Sequence, residues 1–201
     1  MPPRRPIVYS PHRGLAMEDK FLAQLKAKTG RSLDEWTTLI QRRGPDSVRE
    51  RAAWLKSEHG MGTNYAKVVA DRASGTGNEY TDPAALVEAM YDGTKADLRP
   101  IHDALITIGL GLGRDVDACP CKTIVPLYRK HVFAQVKPAT RKRIDLGLAL
   151  KHAKRKVTKR LIDTGGAAKG DRITHRIPIE SLEQIDDEVR SWMQTAYEAD
   201  A

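Results

Sequence analysis

Apolar positions in the first third of the chain recur every three or four residues, the spacing of a helix face. Phe21, Leu22 and Leu25 share a face over residues 17–28, and Trp36, Leu39 and Ile40 line a second helix starting at Ser32. Val48, Ala52 and Leu55 mark a third, from Ser47 to His59, and Tyr65, Ala66 and Val69 a fourth, from Thr63 or Asn64. Ser32 with Glu35 and Ser47 with Glu50 spell S-x-x-E, in which each side chain satisfies a backbone N–H at the other end of the first turn. Gly44-Pro45 stops the second helix, and Gly60 supplies a left-handed cap for the third. The short turn Gly60-Met61-Gly62 fits a plain helical bundle. It also fits a helix-turn-helix offering Asn64, Lys67 and Arg72 to a major groove.

After a Gly/Ser-bearing stretch the pattern changes. Asp82-Pro83 opens a short helix to about Tyr91. A longer one follows, capped by Thr94 with Asp97, carrying the stripe Leu98, Ile101, Leu105 and Ile108. Pro100 either kinks it or marks its true start, and Gly109, Gly111 and Gly113 end it. Three runs with β character, residues 123–128, 131–136 and 144–150, are separated by basic or Pro-containing turns and read as consecutive antiparallel strands. A fourth strand is predicted at 157–162, a Gly-rich loop at 165–170 and a fifth strand at 173–179. Ser181 and Gln184 cap a last helix lined by Leu182, Ile185, Val189, Trp192, Met193 and Ala196. The fold class is α+β: a small all-helical N-terminal domain, then an antiparallel sheet with helices packed on one face. The boundaries are a mobile arm at 1–16, the helical domain at 17–73, a linker at 74–80 and the α+β domain at 81–201.

Charge adds a functional direction. The chain of 201 residues carries a net +8, which favours polyanionic partners. Residues 180–200 hold seven acids and one Arg, a net of −6, so the rest carries +14. Two cysteines are too few for a disulfide framework, and the N-terminus has no apolar signal-peptide core, so a cytoplasmic location is expected. No apolar run approaches the roughly 20 residues a spanning helix needs, so no membrane partner is expected.

Two stretches resemble known families. TGRSLDEWTTLIQRRG followed by AAWLKSEHGMGTNYAKVV is similar to the domain of unknown function 4287. KTIVPLYRK, VFAQVKPATRKRIDLGLAL, the THRI strand and the terminal QTAYEA resemble the domain of unknown function 5655, often fused behind the first in bacterial proteins. The resemblance covers residues 17–200 and implies a small α+β domain similar to that of the YdhG-like proteins. It implies no established activity, although a distant relative of the second domain has been discussed as an iron chaperone.

The candidate chemistry follows the basic residues. Arg129, Lys130, Arg141, Lys142 and Arg143 crowd the strand turns, and Lys151, Lys154, Arg155, Lys156, Lys159 and Arg160 follow within ten positions. Brought to one sheet edge, they would neutralise several phosphates, with Tyr128 and Phe133 available to stack on bases. Asp145, His175 and Arg176 lie on predicted strands and, with Tyr128 and Phe133, mark a possible pocket. Cys119-Pro120-Cys121 is only half a zinc site and would need His102, His131 and His175 to converge. Glu180, Glu183, Asp186, Asp187 and Glu188 are the acids expected in a first helical turn. No catalytic motif appears, and no metal or cofactor is expected. The chain reads as a non-catalytic binding protein whose ligand is a polyanion such as nucleic acid. The alternatives are a small-molecule or metal-ion binding module using a pocket between sheet and helices, or a protein-interaction adaptor.

Overall fold

The computed structural model describes residues 6–75, 82–151, 153 and 158–201. They divide into two compact units, residues 12–75 and residues 6–11 with 82–201. Residues 76–80 of the predicted linker and Thr81 lie outside the described residues, as do Lys154, Arg155 and Lys156.

The first unit contains α1 (Arg13–Thr29), α2 (Leu33–Arg43), α3 (Val48–His59) and α4 (Thr63–Ala73). The local signals are realised atom by atom. The Ser32 amide donates to Glu35 at 2.7 Å while the Glu35 amide donates to Ser32 Oγ at 3.3 Å. Gly60 adopts φ 60°, the left-handed region where a Cβ is penalised. Trp36, Ile40, Leu55, Met61, Ala66 and Val69 close the core with Leu25. The Trp36 indole N–H donates to Thr29 Oγ1 at 2.8 Å. On α4, Asn64 and Lys67 are exposed, whereas Arg72 is tied to Glu18 at 3.1 Å.

In the second unit, α5 (Pro83–Met90) and α6 (Arg99–Leu110) precede a six-stranded antiparallel sheet. Its strands are β1 (Asp117–Ala118), β2 (Val125–Tyr128), β3 (Val132–Pro138), β4 (Ile144–Leu148), β5 (Ile162–Asp163) and β6 (His175–Ile179), in the order β1-β2-β3-β4-β6-β5. A one-turn helix, α7 (Gly166–Lys169), sits in the predicted Gly-rich loop, and α8 (Asp187–Glu198) ends the fold. Register places Leu127, Ala134, Val136, Leu146 and Ile177 side by side on one face. All five are fully buried, in one core with Leu105 of α6 and Trp192 and Met193 of α8. The opposite face carries Gln135, Lys137, Asp145 and Arg176, as period-two alternation requires.

Three local expectations are corrected. Thr94 does not cap the long helix. Gly93 turns at φ 62°, a 3-10 segment spans Gly93–Leu98, and Pro100, lacking an N–H, falls in the first turn of α6. Ser181 and Gln184 do not cap the last helix: Gln184 accepts from the Glu180 amide at 2.7 Å, and Asp186 caps α8 through the Val189 amide at 3.1 Å. Nor are residues 6–11 a loose arm. The Ser10 amide donates to the Ala118 carbonyl at 2.8 Å, and Ile7 and Tyr9 pack on the sheet unit's core.

Candidate functional site

The sheet topology separates the basic residues. The β2–β3 turn carries Arg129 and Lys130, and the β3–β4 turn carries Arg141, Lys142 and Arg143. Antiparallel β3 lies between the two turns, so they occupy opposite ends of the sheet. Seven strand residues, Val132–Pro138, put them on the order of 20 Å apart. The expected single basic edge is therefore not formed by these turns. Lys151 follows β4 and lies at the Arg129 end, beside Arg172 and Asp200 around a cavity of about 230 Å³.

Several of the cations are held by acids. Arg129 bonds Asp115 at 2.8 Å and lies 4.3 Å over the Tyr197 ring. Arg143 and Arg176 share Asp145, at 2.9 and 3.1 Å. Arg160 reaches Asp186 at 2.5 Å and Glu188 at 3.4 Å. Lys130, Arg141, Lys142, Lys151 and Lys159 are exposed.

The predicted pocket residues do not converge. Asp145 and Arg176 meet on the open sheet face, while His175 is the next residue along β6, on the other face, and its Nδ1 meets Thr174 Oγ1 at 2.9 Å. Phe133 is fully buried, edge-on to Tyr197 at 5.7 Å, and cannot stack on a base; Tyr128 is half-buried beside the register shift at Leu127/Tyr128. The three histidines that a zinc site would need to bring together are also scattered. His131 bonds the buried Asp200, which Arg172 also contacts, whereas His102 lies between two tyrosines. Among the described residues no group of three or more His, Cys, Asp or Glu is placed to hold a metal ion.

A different site is built around α6. A cavity of about 700 Å³ is lined by Ile7 and Tyr9 from the N-terminal segment, Glu88 of α5, Arg99, Asp103 and Ile108 of α6, and Arg190 of α8, among others. That volume lies within the range of small-molecule sites, about 300–1,000 Å³. Arg99 fixes the polar wall, bonding Glu88 and Asp103 at 2.8 Å each. The four charged side chains at the cavity, two Arg and two acids, sum to zero.

Behind the wall, His102 is fully buried and bridges two phenols. Tyr9 Oη lies 2.9 Å from its Nε2 and Tyr91 Oη 2.9 Å from its Nδ1. Burial, helped by the Arg99 charge, pulls the His102 pKa down to about 3. Burial raises both phenols above their ordinary value, with Asp103 adding to the effect on Tyr9. The imidazole is therefore neutral and both tyrosines are protonated through the neutral pH range. No sequence signal announced this network, because Tyr9 and His102 are 93 positions apart and the segment bearing Tyr9 lacks periodicity.

The family model of a domain of unknown function, DUF5655, matches residues 87–200. The chain belongs to this family. A second model, of the domain of unknown function DUF4287, matches residues 18–74. Searches of curated proteins and of solved structures find no match. The DUF5655 region takes in the sheet, α6 and α8, and with them His102, Tyr91, Arg99, Asp103 and Arg190. Tyr9, Ile7 and the residues at the start of α5 lie outside it, so this chain completes the cavity with a segment from before its helical unit. Among the described residues no helix is long and apolar enough to cross a membrane.

Proposed function

We propose that the chain is a non-catalytic small-molecule binding module and that the α6 cavity is its ligand site. The carrying observation is the cavity itself, with an apolar body from Ile7, Ala84, Ala104 and Ile108 and a few fixed polar groups from Tyr9, Arg99 and Asp103. Such a composition suits a ligand held mainly by apolar burial and oriented by hydrogen bonds. Local charges that cancel favour an uncharged ligand.

Native mass spectrometry of the gently purified chain tests this, with Ala104→Trp as the cavity-filling comparison. The expected result is a retained small-molecule mass, or uptake of added acetophenone, that Ala104→Trp removes while its melting temperature stays close to that of the parent. Retention or uptake equal in the two proteins would overturn the proposal.

A second reading, polyanion binding, keeps one supporting observation. Arg141 and Lys142 are exposed at a turn tip and have no acidic partner among the described residues. The opposite end of the sheet and the exposed Lys151 would then make separate contacts.

A further inference from the structure

The Tyr9–His102–Tyr91 chain has more hydrogens than links, which matters if the cavity is the ligand site proposed above. Neutral imidazole carries one N–H and one lone pair, and each phenol carries one O–H. Three donors are thus available for two links, Tyr9 to Nε2 and Tyr91 to Nδ1. One tyrosine donates to the ring, the other accepts from it, and the acceptor keeps an O–H for a further partner.

Burial decides which one accepts. Tyr91 is 3% exposed, and among the described residues its hydroxyl has no partner other than His102. Were Tyr91 the acceptor, a buried donor would be left unsatisfied, which folded proteins avoid. Tyr9 is half-buried and lines the cavity, where its spare hydrogen has room for a partner. We propose that Tyr91 donates to Nδ1, that His102 keeps its proton on Nε2 and donates it to Tyr9, and that the Tyr9 O–H thereby becomes a fixed donor into the cavity for the hydrogen-bond acceptor of an uncharged, apolar ligand such as a ketone. Accepting from Nε2–H also polarises the phenol and strengthens the bond that it donates. His102 and Tyr91 are positioning residues: they set the direction of one donor without touching the ligand.

The test has two arms on the full chain. Long-range ¹⁵N–¹H spectra of the ligand-free protein at neutral pH identify the tautomer. The expected spectrum has a protonated Nε2 and a strongly downfield, unprotonated Nδ1; the reverse tautomer overturns the inference whatever binds. The second arm compares acetophenone with isopropylbenzene, similar in size but lacking the acceptor. The expected preference for acetophenone is about tenfold, one neutral hydrogen bond, and Tyr9→Phe should abolish it while retaining isopropylbenzene binding. If both probes bind equally and Ala104→Trp excludes both, the cavity reading stands and the acceptor inference fails. If neither probe binds the parent protein, the acceptor inference fails, and the cavity reading fails with it unless a small-molecule mass is retained that Ala104→Trp removes.

Discussion

At the scale of single residues, His102 costs the fold something at acid pH. Its folded pKa, about 3, lies below the ordinary histidine value of 6.5. The unfolded chain therefore binds a proton between these values that the folded chain does not, and stability falls as pH drops through the window. Full stability is present above about pH 6.5, and each unit below removes about 1.4 kcal/mol from this group. Burial sets most of the shift and the Arg99 charge adds to it, while Tyr9 and Tyr91 are the titratable groups bonded to the ring. Denaturant titrations at pH 7 and pH 5 check this against His102→Gln. The parent should lose about 1–2 kcal/mol more than the variant, and equal losses would show that His102 is not held neutral.

At the scale of elements, the structure reads out most of what the sequence carries locally. Ser32 with Glu35, Ser47 before α3 and Asp82 before α5 cap through bonds spanning three residues, a distance that one turn of pattern reveals. The sheet was legible because runs with β character, around Leu127, Val136 and Leu146, are separated by basic or Pro-containing turns. Consecutive antiparallel strands already place successive turns at opposite ends, so the single basic edge conflicted with the strand pattern itself. Arg129 and Arg143 are 14 positions apart in sequence and lie at opposite ends of β3 in space. The Tyr9–His102 pair was hidden, since distant positions meet there without any local signature. The separation of the turns has a consequence for polyanion binding. Arg141→Glu with Lys142→Glu and, separately, Lys130→Glu with Lys151→Glu should each weaken binding to a DNA duplex and flatten its salt dependence, by a slope of about 0.9 for each phosphate that is no longer neutralised. Effects at sites about 20 Å apart should add. Duplex affinity unchanged in both double variants would remove the polyanion reading.

At the scale of the molecule, the chain interrupts its α+β unit with a four-helix unit. Residues 6–11 belong with 82–201, while 12–75 fold around their own core. The N-terminal segment returns Ile7 and Tyr9 to α6, so the proposed ligand site draws on residues outside the matched family region. The most direct test is a methyl NMR titration of the full chain with acetophenone. Saturable shifts should appear at Ile7 and Ile108 on the cavity wall, and Ile40 in the helical core should stay still. No saturable shift at Ile7 or Ile108, or shifts spread evenly to Ile40, would contradict the assignment of the cavity as the ligand site.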